Sequence, residues 1–566
     1  MRIDVIDNGA DFERVRDNWD RVYMSDPYAQ HFLSWIWLRE FLSRKRRWFI
    51  LALREREPGS PYVAFFPLRI STTQDPKTGI FTDDIIMAGN YAADYTGFIS
   101  EPDYEDHAIK GFSAFLKSQN WTNFKLEYFS GPPERKEAML SAFRGSDFRH
   151  RDSAPKSSDN LDICLCPVVT LPDSWETYLE TKMSSQSRQK LRRFLRKVES
   201  DEMYRITHAT PETIKRDLDV LFSLWRIKWL PKKGETRIDR LIAATRQMLM
   251  DCFNDGNLDV PIFWYGDRPL GALANIVDRQ KKTILFYITG RDEEWKTPSP
   301  GLILHGDCIR RAIADGFKTY DFLRGNEPYK YVFGADERAI SCTVIATRTG
   351  RNLGDKLHPR SIRHVYERGT QLYKSGAKRG AEIAFQQVCE AAAEHMGARF
   401  GLARLLFDKG LFAEAEAAYK EIAAKVTDPV PVLVGLGDAQ LALRHFGDAA
   451  ATFRKVIDLR PHHSQAHFKR GVALVAAHRS AEAAKAFGAL EKFHSDDPEH
   501  ASYRDKARHA LARIAPVSAA REPTLSPAQL PLDMAALIAA ARPAGSKDLK
   551  FSTAIRYPKT VVRSPK

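Results

Sequence analysis

Asp321, Arg324, Glu327 and Lys330 put two carboxylates and two cations within ten residues, around Gly325. The run reads Asp321-Phe322-Leu323-Arg324-Gly325-Asn326-Glu327-Pro328-Tyr329-Lys330-Tyr331-Val332-Phe333-Gly334. An amine or hydroxyl that attacks a carbonyl must lose a proton. A carboxylate whose pKa is raised can take it, so Glu327 and Asp321 are the candidate bases. Tyr329 could return a proton to a leaving thiolate. Arg324 and Lys330 could hold an anionic substrate, or pair with the two acids. Gly325 opens backbone conformations closed to other residues. A solvated turn with local ion pairs explains the same cluster equally simply. Its position argues for more. It follows a buried strand predicted at 319–323, which itself follows a helix predicted at 302–314, and ligands bind at such carboxyl ends of strands in open α/β sheets.

Two further features could bind anions. Residues 182–197 carry Lys182, Arg188, Lys190, Arg192, Arg193, Arg196 and Lys197 with no acid. Arg188, Arg192 and Arg196 recur every four residues and share one helical face. Coenzyme phosphates, a sugar nucleotide or tRNA would suit that face, and so would plain solvent. Ser299-Pro300-Gly301 opens the 302–314 helix, whose free N–H groups and dipole favour phosphate. An ordinary cap with proline beside it is the competing reading.

The 321–334 pattern resembles the BioF-like acetyltransferases of the GNAT superfamily, the group that includes the CelD/BcsL proteins linked to cellulose and exopolysaccharide synthesis. Trp175-Glu176-Thr177-Tyr178-Leu179, Ser184 to Arg193, Leu285-Phe286-Tyr287-Ile288-Thr289-Gly290 and Ser299-Pro300-Gly301 flank it in the same order. The resemblance spans roughly residues 1–350 and is strongest over 170–334. It implies two GNAT-like folds in tandem and an acyl donor such as acetyl-CoA or another acyl-CoA. Ser299, Gly301 and Gly325 would contact that donor, although the full glycine-rich pyrophosphate loop is absent. It also implies a strand bulge at Tyr287 that polarises the thioester carbonyl, and substrate contacts from Arg188, Arg192, Arg324, Lys330, Asp94 and Tyr95. The implied acceptor is an amine or hydroxyl of a sugar- or polysaccharide-related molecule. Fem-type aminoacyltransferases also use tandem GNAT folds, so a tRNA-borne donor stays open, as does a non-catalytic binding scaffold.

The elements that must position these groups follow from periodicity. The first part reads as mixed α/β, with helices at 12–19, 35–42 and 109–116 and strands at 49–53, 62–68 and 123–129. The second has a basic helix at 175–199, a helix at 211–229, a hairpin about Gly266-Asp267 and strands at 283–288 and 319–323. The third is repetitive: Tyr419, Phe453 and Phe487 recur every 34 residues, in step with Ala415, Ala449 and Ala483 and with Ala403, Gly437 and Gly471. That is the period of tetratricopeptide repeats, which stack into a surface for a protein partner.

The expected fold class is therefore α/β (α+β), tandem GNAT-like folds followed by an all-α tetratricopeptide-repeat solenoid. The expected domains are 1–167 and 168–350, GNAT-like; 351–397, a linker with lead-in helices; 398–515, repeats; and 516–566, a disordered basic tail with a short helix at 534–541.

The balance of 86 Lys and Arg against 72 Asp and Glu gives +14, which favours anionic partners without choosing among them. Six widely spaced cysteines exclude a small disulfide scaffold and read as core thiols. No sequence spacing suits a metal. The N-terminus lacks an apolar signal core, and no run is long enough to span a membrane. A cytoplasmic protein is expected, with peripheral association at the inner membrane implied only by the family.

Overall fold

A computed structural model describes residues 1–514 apart from 58, 91, 158–159 and 493–497. The tail and the helix expected at 534–541 lie outside the described residues. Residues 1–72 and 83–355 form one compact unit; residues 73–82 group with the chain from 356 onward in a second.

The first unit holds most of two sheets. In chain order the strands are β1 (Arg2–Ile6), β2 (Trp48–Arg54), β3 (Tyr62–Gln74), β4 (Phe81–Met87), β5 (Ile99–Ser100), β6 (Asn123–Phe129), β7 (Phe148–Ser153), β8 (Leu165–Thr170), β9 (Tyr204–His208), β10 (Leu258–Asp259), β11 (Pro261–Tyr265), β12 (Arg268–Asp278), β13 (Thr283–Arg291), β14 (Thr319–Asp321), β15 (Asp336–Ala339) and β16 (Ser341–Thr347). One sheet runs β1-β2-β3-β4-β6-β16-β7, with β5 on β3; the other runs β15-β8-β14-β13-β12-β11-β9, with β10 on β12. The two halves are interwoven. After β15 leaves the second sheet, β16 returns to the first and lies between β6 and β7.

Alternation along the strands explains the layering. Ile284, Phe286, Tyr320 and Phe322 pack beneath the Pro300–Ala314 helix with Ile303, Leu304 and Ile309. Their alternates Leu285 and Leu323 face a separate core shared with Trp37, Tyr95 and Leu221. That second face looks into the junction of the halves.

Two expected helices differ in the structure. The basic helix splits into Trp175–Thr181 and Ser185–Ser200, because Ser184 caps a new start by accepting from the Ser187 N–H. The helix expected at 211–229 runs Ile214–Lys233, and Gly234 turns the chain into a further helix, Glu235–Asn254, which local periodicity did not suggest. All six cysteines are free.

The second unit is a run of paired helices. Ala415, Ala449 and Ala483 are fully buried. A Cβ on Gly437 would lie 2.6 Å from the Phe453 ring, and one on Gly471 2.4 Å from Phe487. The small position of one helix thus receives the aromatic of its partner. The same step of 34 residues leads back from Ala403, Ala415 and Tyr419 to Gly369, Ala381 and Phe385. Gly369 is pressed against Phe385 in the same way, so the helices Ile362–Lys374 and Lys378–Ala391, within the stretch expected to be a linker with lead-in helices, pack as another pair. Among the described residues no helix is long and apolar enough to cross a membrane.

Candidate active site

The site begins where two parallel strands part. β13 and β14 pair only at Thr283 with Thr319, Ile284 with Tyr320 and Leu285 with Asp321. β13 continues to Arg291, while the chain after Asp321 turns away through Leu323 (φ 56°) and Gly325 (φ 101°). Past Leu285, β13 has no strand partner on that edge among the described residues. On its other edge β13 carries a bulge: Ala274 faces Ile288 and Asn275 faces Phe286, which makes Tyr287 the extra residue. Bulges re-aim a side chain, and the Tyr287 hydroxyl donates to Ala92 O at 2.9 Å in the first half. The helix from Pro300 starts at the same end of the strands. Its cap, Ser299, makes no side-chain capping bond, and among the described residues nothing beyond the helix's own backbone and the neighbouring residues lies within 4 Å of where a Gly301 Cβ would stand.

Asp321 is 1% exposed, and burial pushes its pKa up. It accepts from the Tyr95 hydroxyl at 2.8 Å and the Leu323 N–H at 2.7 Å, with the Arg338 guanidinium 3.6 Å away. It lines a cavity of about 760 Å³ between the halves, whose charged groups also include Arg338, Asp278, Lys281 and Lys136, with His31 in its wall. Asp278 accepts from the Tyr23 hydroxyl and from the Lys281 N–H. The Lys281 ammonium donates to the carbonyls of Met24 and Asp26, and burial pulls its pKa down. His31 also borders a second pocket of about 490 Å³, which Tyr287 lines as well. Burial lowers the His31 pKa and favours the neutral ring.

The other motif residues are largely committed to the protein itself. Arg324, expected to bind substrate, donates from Nε to Asp94 at 2.8 Å and lies 4.0 Å over the Tyr128 ring. Asp94, expected on the substrate as well, is thereby the other end of a clamp between the halves. Lys330 is 3% exposed and donates to the carbonyls of Arg324 and Gly325, with the Glu327 carboxylate 2.9 Å away. Gly325 is favoured here by its φ of 101°, a backbone conformation that strains residues with a side chain. Tyr329 stacks on the buried His305 ring, and burial pushes its pKa up. His305 meets the Tyr320 hydroxyl through Nδ1 at 2.9 Å; burial and then Lys330 lower its pKa to about 3. Arg188 donates to the carbonyls of Leu179 and Glu180 and so closes the end of the Trp175–Thr181 helix, rather than facing solvent as a free cation. Arg192 is exposed beside Lys190, Arg193, Arg196 and Lys197, and none of these five forms an ion pair with an acid among the described residues.

The motif's last glycine closes the structure. Gly334 has φ 74°, and a Cβ would stand 2.1 Å from Lys182 O, while the Tyr178 hydroxyl donates to Phe333 O. Gly334→Ala should destabilise the first unit by about 2 kcal/mol or more, since both the backbone conformation and the contact are lost. Urea unfolding measures it, and a change below about 0.5 kcal/mol would contradict the packing.

Sequence reasoning missed His31, Asp278, Lys281, His305 and Arg338. None sits in a recognisable spacing. His31 joins Asp278, Lys281 and Asp321 because the halves fold against each other across more than 200 residues, as the pairs Tyr95–Asp321 and Tyr23–Asp278 show, whereas Arg338 and His305 meet Asp321 and Tyr320 from within the second half.

Comparison with known proteins assigns two parts of the chain to known families. Residues 185–331 match the family model described as an acetyltransferase (GNAT) domain. Residues 366–429 and 434–498 match a tetratricopeptide repeat. Similar solved structures include FemX, at 12% identity and TM-score 0.41, covering 61% of this chain and 97% of that one. A conserved protein of unknown function from Bacteroides thetaiotaomicron VPI-5482 shows 12% identity and TM-score 0.39, with 61% and 100% covered. A MamA D159K mutant shows 17% identity and TM-score 0.23, with 32% and 96% covered. No curated protein matches the chain. The chain therefore carries a GNAT-type acetyltransferase domain followed by C-terminal tetratricopeptide repeats.

Proposed function

We propose that this protein transfers an acyl group from a coenzyme A thioester to an amine or hydroxyl, with Asp321 as the general base. The observation that carries the reading is the parting of β13 from β14 at Asp321, beside the bulge at Tyr287. In this reading the donor lies along the free edge of β13, with its phosphates toward the start of the Pro300 helix, where backbone N–H groups and the dipole favour anions. The thioester carbonyl lies at the bulge. The acceptor enters through the charged cavity and attacks the carbonyl carbon while Asp321 takes its proton. The tetrahedral intermediate then breaks its C–S bond, and the departing thiolate takes the proton that Asp321 accepted, which restores the carboxylate. The elevated pKa of Asp321 suits a base better than the carboxylate of Glu327, which is held by Lys330. Arg324, Asp94 and Tyr95 hold the site together in this reading. A sugar- or polysaccharide-related acceptor rests on the motif resemblance alone. The repeats would recruit a protein partner, at the inner membrane if the family association holds.

A second reading takes the donor from aminoacyl-tRNA. The exposed cationic face at Lys190, Arg192, Arg193, Arg196 and Lys197 favours it. Thermal shift with coenzyme A, acetyl-CoA and charged tRNA, followed by thiol release over an amine and sugar panel, tests both. Stabilisation by coenzyme A species with thiol release is expected. Salt-sensitive retention of charged tRNA alone would move the conclusion to the second reading. Binding of neither would leave a scaffold and overturn the enzymatic reading.

A further inference from the structure

We propose that the pocket beside Tyr287 holds the tail of a medium- to long-chain acyl group, so that the donor is a fatty acyl thioester rather than an acetyl one. This rests on the acyl-transfer reading above and adds the substrate class.

The crevice between the halves has two lobes with His31 in the wall of each. One lobe holds the charged groups Asp321, Asp278, Lys281 and Arg338, and suits a polar acceptor. The other, about 490 Å³, is walled by Ile36, Trp37, Phe41, Leu241, Met248 and Tyr287. Its volume falls within the range of small-ligand sites, far beyond what an acetyl methyl fills. Carboxylates at its margin are already neutralised: Asp255 pairs with Arg39 at 2.9 Å, and Asp251 with Arg44 at 2.5 Å. Glu40 in the same lining pairs with Arg39 at 2.9 Å, and the Lys45 ammonium lies 5.9 Å from the centre of the Phe41 ring. Tyr287 belongs both to the bulge and to the pocket wall. A carbonyl at the bulge would therefore have its alkyl chain next to the apolar lobe, while the charged lobe stays open to the acceptor. A charged lobe and a more apolar one that share His31, the second of them reaching the bulge at Tyr287, are what a group with a reactive polar head and an apolar tail would need.

Each methylene moved from water into such a pocket favours binding by about fourfold. The full-length protein is titrated by calorimetry with acetyl-, octanoyl- and dodecanoyl-CoA. Octanoyl- and dodecanoyl-CoA are expected to bind at least about 100-fold more tightly than acetyl-CoA. Ala244 lines the pocket from an exposed position on the Glu235–Asn254 helix, so Ala244→Trp should fold normally. It is expected to bring the long-chain affinities down toward that of acetyl-CoA while leaving acetyl-CoA unchanged. Equal affinity along the series overturns this proposal and leaves acyl transfer standing. Tight long-chain binding that ignores Ala244→Trp also overturns it, since the chain then lies elsewhere. Failure of every thioester to bind overturns the acyl-transfer reading itself, and this proposal with it.

Discussion

Replacing Asp321 by Asn is expected to lower turnover by about 10²- to 10⁴-fold, the usual contribution of a positioned base, with donor affinity nearly unchanged. The amide keeps the shape and can still accept from the Tyr95 hydroxyl and the Leu323 N–H, so the local fold should hold. What it loses is proton affinity. The pH profile gives the sharper readout. Burial raises the Asp321 pKa, and the base works only when ionised, so activity should climb with pH through that raised value. The acidic limb then lies at higher pH than an ordinary carboxylate would put it, and it should vanish in Asp321→Asn. Tyr95→Phe removes one hydrogen bond to the ionised form, which should shift the same limb further upward without abolishing activity. An Asn variant with unchanged turnover and an intact limb would remove Asp321 from the chemistry and return Glu327 to consideration.

The second large effect concerns the repeats. Lys469 is 1% exposed on its side chain and donates to the buried Asp438, 7% exposed, at 2.5 Å. Even with that partner, burial keeps the Asp438 pKa above its ordinary value. Lys469→Met would leave a carboxylate in apolar surroundings with its cation gone, and should cost about 3–5 kcal/mol. Urea unfolding of the full chain measures it. The double variant Asp438→Leu with Lys469→Met should recover most of the loss, because the buried charge is removed as well. The sign with pH is also defined. With its folded pKa raised, Asp438 binds a proton in the native state at pH values where the unfolded chain has released it. Stability of Lys469→Met should therefore fall as pH rises through the raised value. A loss below about 1 kcal/mol, flat with pH, would mean that water reaches the pair.

These two sites show where sequence reading succeeds and where it stops. The repeat period was visible because it is local arithmetic: a small residue and an aromatic recur every 34 positions, and Gly437 against Phe453 shows why. The Gly369–Phe385 pair obeys the same step but lies in a stretch that also reads as a basic linker. The 321–334 cluster stood out because its glycines and charges are close in sequence. What each charge does was not legible. Arg324 and Lys330 look alike as free cations, yet one grips Asp94 across 230 positions and the other is buried against its own loop. The missed Glu235–Asn254 helix has a related cause. Its predecessor runs through Pro231 and stops only at Gly234, so the punctuation between them is misleading.

Read as a string, the chain already contained its element types, the position of the strand-to-loop motif and the helical array, since propensity and periodicity act over a few residues. Burial, pairing and proton affinity arose only when distant segments met. Asp321 becomes a more basic carboxylate because the packed fold buries it, while Tyr95 and Arg338, brought to it by the same packing, pull its pKa partly back. Local pattern specifies which groups are present; desolvation and partner geometry, which need the packed fold, decide what chemistry those groups can do.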